Sequence, residues 1–492
     1  MTSSPSLVRP RRRPTPSLHR SALRAAGELI GRYTAWFSVR NRMVSSASSG
    51  GGHAMSTSRP FSDSGSAVNG KVRAAAMDAP PVSTQERVQV LDVLRGFAIL
   101  GMWVVNMTID VGWDYRVELM PMEAPDFVAV VVVNLLLSGK FFTIFSFLFG
   151  VGVFVQIERA RARGVNHVTF YLRRSLGLLL VAYAAIAATT HTWILVDYAV
   201  LGLTLLLFVD RPPKAILAAA LVCFAVSLVF ENIVPGVEEH VELRAYAEEQ
   251  DISMEAAIAA RGKSEAASGI AREPRIRSAT FLQQSERLLS RSFRAHTAWS
   301  YYLERLGTLG LMLLGLYVAR RGAVWDPAVR RAIARRALPW LIGAGAVVAV
   351  VAVAMNDFGL GNETSLAQRI LRTALQGPVG ATLLGLGYAA VLVLLFERDA
   401  WRRWFARLAP VGRMALSCYL LTLFLSSFIN LGWGLGRFGD VMPVEGFFIV
   451  AVASPFLIIA CTWWLERFRF GPAEWLWRSF TYGRFQRMKL RP

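Results

Sequence analysis

Ten long apolar runs constrain the fold of this chain more than any other feature. A helix of about 20 residues spans the roughly 30 Å hydrocarbon core of a bilayer, where irregular backbone cannot satisfy its polar groups. Hydrophobic residues make up 54% of the chain and the mean hydropathy is +0.40. We therefore expect an all-α, polytopic membrane protein with about ten transmembrane helices in a lipid bilayer. The runs lie near 90–109, 141–157, 173–190, 192–209, 213–231, 302–319, 337–355, 377–396, 414–432 and 444–465.

The basic residues predict how these helices are oriented. The formal net charge is +20, and Lys and Arg cluster in alternate loops between the apolar runs. Short cytoplasmic loops carry such an excess, so both termini are expected to face the cytoplasm. Nucleic-acid binding is not expected, because no nucleic-acid-binding motif accompanies the charge.

Four regions follow from the runs and their flanks. Residues 1–85 form a basic tail rich in Ser, Gly, Pro and Arg, which holds too little apolar surface to order itself. The tail is also compatible with a transit peptide, although a translation start at Met55 or Met77 is the simpler interpretation. Residues 86–231 and 301–492 each supply five spans, and the latter region includes a cytoplasmic tail. Between them, 232–300 is expected to be an extracytoplasmic, partly helical loop.

The first run, "LDVLRGFAILGMWVVNM", carries two charges near one end. Asp92 and Arg95 are three residues apart, so they share a helical face and can neutralise each other. One interpretation is a topology anchor at the membrane surface. The other is a buried functional pair, because intramembrane charge is costly and an anchor would cost less one turn earlier.

Five motifs, in this order, resemble the YeiB-like family of bacterial inner-membrane proteins, domain-of-unknown-function family 418. They are "LDVLRGFAILGMWVVNM", "GKFFTIFSFLFGVGVF", "RLGTLGLMLLGLY", "LAPVGRMALSCYLL" and "FRFGPAEWLWR". The resemblance covers residues 87 to about 485. That family is in turn distantly similar to transmembrane acyltransferases, including the acyltransferase-3 enzymes and the heparan glucosaminide N-acetyltransferases. Those enzymes use cytoplasmic acyl-CoA and modify an acceptor at the far face.

The distant similarity implies candidate catalytic residues, with one departure. Acyltransferase-3 enzymes place a histidine eleven positions after the motif arginine, and here Asn106 stands at that position. Asparagine donates hydrogen bonds but is no base near neutral pH. His191 is the substitute we consider, with Asp197 one turn later on the same face to orient it. A loop histidine beside a helix-packing aspartate is the alternative, and Asp110 is a second candidate acid or base.

The resemblance also suggests where acyl-CoA, the expected donor, binds. Arg173 and Arg174 enter the third span from the predicted cytoplasmic side, near the level of Arg95 and Asp92. Guanidinium groups bind phosphates in a bidentate manner, although these arginines also fit ordinary positive-inside charge. No metal is expected, since the three cysteines lack the spacing of metal ligands.

Two classes of function stay open at this point. The first is an integral membrane acyltransferase that moves an acyl group from cytoplasmic acyl-CoA to an envelope glycan or lipid acceptor. The second is a transporter or carrier for a small solute or lipid-linked metabolite, for which inverted repeats are expected and no clear repeat is visible. Self-association into a homo-oligomer is compatible with either class.

Overall fold

The computed structural model describes residues 88–108, 123–189, 193–356 and 365–490, the last range with gaps at 367, 369, 372–374 and 376–378. Helices dominate this part of the chain, which contains no β-strand, so the all-α prediction is confirmed. The first nine helices are α1 (Gln89–Thr108), α2 (Ala124–Leu136), α3 (Lys140–Ala162), α4 (His167–Ala188), α5 (Trp193–Thr204), α6 (Pro213–Leu228), α7 (Val234–Gln250), α8 (Met254–Arg277) and α9 (Phe281–Thr297).

The remaining helices follow in the second half of the chain. They are α10 (Trp299–Glu304), α11 (Leu306–Val318), α12 (Pro327–Asn356), α13 (Gly380–Phe396), α14 (Asp399–Phe405), α15 (Ala409–Arg413), α16 (Ala415–Asn430), α17 (Pro443–Arg467) and α18 (Pro472–Tyr482). An isolated antiparallel bridge between Phe468 and Lys489 ties the end of the chain to the end of α17.

Six helical segments in the described ranges are long and apolar enough to cross a membrane, or seven if a bent pair is one span. The bent pair joins Gly380–Phe396 to Asp399–Arg413 at an angle of 118°. Large apolar side chains on the outward faces of these helices, such as Trp340 and Phe456, are exposed, as expected for contact with lipid.

Three of the ten predicted spans correspond to shorter helices, so the count of ten is not confirmed. The apolar segments Trp193–Leu207 and Ala415–Asn430 fall below the spanning length, and α11 has 13 residues. At 1.5 Å per residue α11 is about 20 Å long, less than the hydrocarbon core. Apolar composition predicted these helices correctly, but it did not predict where their backbones change direction.

The apolar stretch 127–140 runs into the second predicted span, and its Ser138 and Gly139 predict a helix break. The structure has this break, between α2 and α3. Gly139 precedes α3 with φ of +75°, a left-handed conformation that a residue with a Cβ adopts only at a cost. The chain therefore turns between the two apolar helices, which together cover Ala124–Ala162.

The first predicted span, α1, is the most enclosed of the candidate spans. In its apolar part 61% of the residues are buried, whereas in the other candidate spans this share is 22% to 33%. It packs against α3, α15, α16 and α17. A Cβ on Gly412 would collide with the backbone carbonyl of Asp92, and one on Gly96 would collide with that of Leu408. These glycines let α1 and α15 approach backbone to backbone.

Residues 232–300, which we call the cap, contain helices α7, α8 and α9. The cap contacts the bundle through several side chains and through a backbone hydrogen bond from Gly432 to Ile276 at 3.2 Å. Arg277 donates hydrogen bonds to the carbonyl of Phe438 at 2.7 Å and to Asp440 at 2.6 Å, in the loop between α16 and α17. Ser285 donates to the carbonyl of Ala187 at 2.5 Å, at the end of α4. The cap therefore covers the end of the bundle where α4 ends and α17 begins.

Candidate functional site

Two polar clusters lie at opposite ends of α4. Arg174 stands in the second turn of α4, and fourteen residues separate it from Ala188, about 21 Å at 1.5 Å per residue. The chain then returns through α5, which carries Asp197 in its second turn. The Arg95 cluster consists of Asp92, Arg95, Arg174, Trp477 and Arg478. The Asp197 cluster consists of Asp197, Glu231, His296, Tyr301 and Arg305.

The predicted pair within the first span is present. Arg95 Nη1 donates to Asp92 Oδ1 at 3.1 Å, and Asp92 is 6% exposed. The carboxylate therefore offsets part of the charge that α1 carries into the bundle. Gly152 of α3 lies beside the guanidinium, because a Cβ there would be 3.5 Å from Arg95 Nη2.

The C-terminal helix α18 completes this cluster. The Arg174 guanidinium lies over the Trp477 ring, 3.6 Å from its centroid, and Trp477 Nε1 donates to the Arg174 carbonyl at 2.7 Å. Arg95 and Arg478 are close enough for their like charges to act on Arg174. Arg173, by contrast, is exposed. The structure thus separates two neighbouring arginines that the sequence analysis treated together.

Glu474, one turn before Trp477, fixes α18 to the start of α16. Its carboxylate accepts from the backbone N–H groups of Leu416 at 2.6 Å and Ser417 at 3.2 Å, and from Ser417 Oγ at 2.6 Å. These bonds satisfy donors that a helix N-terminus otherwise leaves free. Burial raises the pKa of Glu474, while these hydrogen bonds act in the opposite direction. Glu474 and Trp477 lie in the motif "FRFGPAEWLWR", but the motif alone indicates no role for either residue.

The Asp197 cluster joins α5, the π-helical turn Val229–Ile233 after α6, α9, α10 and the residue that precedes α11. Tyr301 donates to Asp197 Oδ2 at 3.3 Å, and Arg305 Nε lies 3.9 Å from the same oxygen. Arg305 Nη1 is also 3.9 Å from Glu231, which accepts a 2.6 Å hydrogen bond from Ser227. Two carboxylates thus surround one guanidinium.

The imidazole closest to Asp197 is that of His296, in the last turn of α9. His296 Nε2 is 3.6 Å from Asp197 Oδ1, and the two side chains are 3% and 5% exposed. His296 Nδ1 lies 2.7 Å from the carbonyl of Ser292, one turn earlier. The sequence analysis missed His296, because the cap gives no local signal of contact with Asp197, 99 positions earlier (296 − 197).

The other predicted catalytic residues have different outcomes. His191 and Asp110 lie outside the described residues, so the His191–Asp197 pair stays a prediction. Asn106 is partly buried near the end of α1, and its neighbour Met107 contacts Gly446 of α17 through its carbonyl. Asn106 therefore lies toward the covered end but outside the Asp197 cluster. Within the described ranges, no three His, Cys, Asp or Glu side chains form a group that could hold a metal ion.

Comparison with known proteins finds similarity to one family over part of the chain and to proteins without a described activity. Residues 318–484 match the family described as "Protein of unknown function (DUF418)". The uncharacterized protein YxaH of Bacillus subtilis is 29% identical over 82% of this chain and 96% of its own length. The uncharacterized protein YeiB of Escherichia coli is 25% identical over 80% of this chain and 96% of its own length. No solved structure matches the chain.

Proposed function

From the premise that the chain belongs to the YeiB-like DUF418 family of membrane proteins, we propose that it is an acyltransferase. In this proposal acyl-CoA binds at the Arg95 cluster. The acyl group passes to an envelope glycan or lipid acceptor at the Asp197 end. The observation that carries the proposal is the Arg174 guanidinium on the Trp477 ring, with Arg95 and Arg478 nearby.

The chemistry of the Arg95 cluster supports a phosphate-bearing donor. Arg95, Arg174 and Arg478 are partly buried, and holding like charges near one another is unfavourable unless anions offset them. The phosphates of coenzyme A would do so, since guanidinium groups match phosphate oxygens in a bidentate geometry. The Trp477 ring holds Arg174 in a fixed position, which reduces the entropy lost on binding.

The chemistry of the opposite end supports proton transfer. The buried imidazole of His296 lies beside the Asp197 carboxylate, which is a common arrangement for a general base. Arg174 and Asp197 lie at different levels of the same bundle, separated by most of the roughly 21 Å from Arg174 to the end of α4. An extended pantetheine arm is of comparable length, so a donor bound at one end would present its thioester toward the other.

The sidedness of the proposal follows from the loop charges. The chain would lie in the bacterial inner membrane with both termini cytoplasmic, so that the Arg95 cluster faces cytoplasmic acyl-CoA. The support is the excess of Lys and Arg in the loops at that end, for example after α3 and after α13. The cap would then lie on the extracytoplasmic side, where envelope acceptors are found.

Acyl-CoA binding by two neighbouring arginine variants tests the proposal. Arg174→Ala should weaken binding of acetyl-CoA by at least about tenfold, because it removes a charge-assisted contact with phosphate. Arg173→Ala is the matched control, since Arg173 is exposed, and it should change affinity less than about threefold. Equal affinities for the two variants, or no acetyl-CoA binding by the wild type, would contradict the acyltransferase.

One observation favours the carrier as a second candidate. The apolar helices are interrupted by π-helical turns at Val229–Ile233 and Ala319–Ala323, and by the 118° bend after Gly380–Phe396. Interrupted helices are typical of substrate sites in secondary transporters. A wild-type protein that binds no acyl-CoA would make the carrier the better account.

A further inference from the structure

The Asp197 cluster contains three polar atoms that lack hydrogen-bond partners among the described residues. They are Asp197 Oδ1, His296 Nε2 and Arg305 Nε. The Asp197 and His296 side chains are at least 95% buried, and the two atoms face each other at 3.6 Å. Buried polar atoms are nearly always satisfied, so three together indicate a place for a small polar group.

The hydrogen bond at the other ring nitrogen sets the tautomer of His296. His296 Nδ1 has two neighbours on Ser292, the carbonyl at 2.7 Å, which only accepts, and the hydroxyl at 3.1 Å, which can donate or accept. The shorter contact favours a proton on Nδ1. In the neutral ring Nε2 then carries a free lone pair, which points toward Asp197 Oδ1. His296 is therefore oriented as a base, and Asp197 stands where it would stabilise the imidazolium that forms.

We infer that the gap between Asp197, His296 and Arg305 binds a hydroxyl group of the acceptor, and that His296 is the general base of an O-acyl transfer. The inference rests on the proposed acyltransferase and names its substrate class. A hydroxyl satisfies two of the three atoms, because it donates its one hydrogen bond to His296 Nε2 and accepts one from Arg305 Nε–H. Asp197 Oδ1 gains its donor only when His296 Nε2 takes up the proton.

An amine acceptor fits this gap poorly. A primary amine is protonated near neutral pH and would bring a second cation next to Arg305. It would also offer no lone pair to the Arg305 N–H group until it lost its proton. Glu231, Tyr301 and Asp197 face Arg305 as well, so the guanidinium is held in place by existing partners.

The reaction then balances without a further reactant. His296 Nε2 takes the hydroxyl proton as the acceptor oxygen attacks the thioester carbonyl carbon. A C–O bond forms, the C–S bond breaks, and the proton passes from His296 to the sulfur of the leaving coenzyme A. The products are an acyl ester and the free thiol.

Arg305 is the most exposed of the three residues. Asp197 and His296 are buried, whereas the Arg305 side chain is 36% exposed. Trp193 packs edge-on against the His296 ring, with centroids 6.1 Å apart. An acceptor would therefore enter past Arg305 and place its hydroxyl in front of His296.

The tautomer is the first test, and it does not depend on acyl-CoA. Nitrogen NMR of the full-length protein labelled with ¹⁵N-histidine should show one ring whose neutral form carries its proton on Nδ1. That signal should be absent from His296→Gln, which identifies it. A ring protonated at Nε2 would overturn the assignment of His296 as base.

The second test measures transfer from acetyl-CoA with octyl β-glucoside as the hydroxyl probe and octylamine as the amine probe. Wild-type protein should form an alkali-labile ester with the glucoside and no amide. His296→Ala should lower transfer at least about 100-fold with unchanged acetyl-CoA binding, and added imidazole should restore part of it. His240→Ala, another cap histidine, is the control and should keep wild-type transfer.

The outcomes separate this inference from the proposed function. Intact binding and transfer in His296→Ala, or an amide as the product, would overturn the inference and leave the acyltransferase standing. If His296 is protonated at Nδ1 but the protein binds no acetyl-CoA, the proposed acyltransferase function is contradicted instead. Binding without any ester product would count against the hydroxyl site itself.

Discussion

The two ends of the bundle are built differently. At the Arg95 end, glycines bring α1 and α15 into backbone contact, and the Glu474 carboxylate ties α18 to α16. At the Asp197 end, the cap contacts the bundle mostly through side chains such as Arg277 and Ser285, with a backbone hydrogen bond from Gly432 to Ile276. Backbone packing leaves little freedom to move, whereas side-chain contacts open locally at small cost. A rigid Arg95 end suits a donor site with a fixed geometry, and a cap that opens locally suits an acceptor site at the Asp197 end.

The Arg95 end and the Asp197 end are predicted to lie on opposite sides of the membrane. Reporter fusions after Arg163 and Arg403 should indicate the cytoplasm, and a fusion after Ala267 in the cap should indicate the far side. The effect is all or none, because each reporter is active on one side only. A cytoplasmic signal from Ala267 would remove the proposed sidedness.

Packing at the Arg95 end predicts the next largest effect. Gly412→Ala forces a Cβ onto the Asp92 carbonyl and should destabilise the protein by about 2 to 3 kcal/mol. Gly343→Ala is the same change at a helical glycine whose Cβ would meet nothing within 4 Å. It should be neutral or stabilising by up to about 1 kcal/mol. Thermal unfolding in detergent compares the two, and similar melting temperatures would contradict the packing.

Removing a contact between the cap and the bundle should destabilise the protein less than Gly412→Ala, and only locally. Arg277→Ala removes hydrogen bonds to the Phe438 carbonyl and to Asp440, and should cost about 1 to 2 kcal/mol. Hydrogen exchange should then quicken by roughly tenfold across α8, with the Arg95 end unchanged. Arg244→Ala, which breaks a pair of two exposed side chains within the cap, is the control and should change exchange little. Faster exchange at both ends would show that the two ends unfold as one unit.

The smallest effect concerns pH at Glu474. Burial raises the pKa of this carboxyl in the folded state above its ordinary value of 4.5, so the folded state binds more protons than the unfolded state in the window above 4.5. The free energy of unfolding should therefore fall as pH rises through that window and then level off. Glu474→Gln keeps an acceptor for Leu416 and should flatten the slope. A variant with the wild-type slope would assign the effect to another group.

Several features followed from local sequence. Apolar length predicted the membrane helices, i,i+3 spacing predicted the contact between Asp92 and Arg95, and a Ser-Gly pair predicted the break before α3. Each of these depends on residues close in the chain, where helical geometry alone fixes the neighbours.

The rest required contacts between distant segments. Trp477 meets Arg174 across 303 positions, and Glu474 reaches Leu416 across 58. Cys418 and Cys461, read separately in the sequence, bring their sulfur atoms to 3.3 Å in the structure. Such pairings depend on how helices cross, which apolar periodicity does not determine. The motif "GPAEWLWR" was a usable signal, since a glutamate and two tryptophans in a polar tail need partners.

The central claim is that acyl-CoA binds at the Arg95 end, and photo-crosslinking tests it most directly. A coenzyme A analogue with a photoreactive adenine should label peptides from 472–482 or from the start of α4, and Arg174→Ala should reduce the labelling about tenfold. Excess acetyl-CoA should compete with the label. Labelling of the cap at 234–297, or labelling that acetyl-CoA does not displace, would contradict the account.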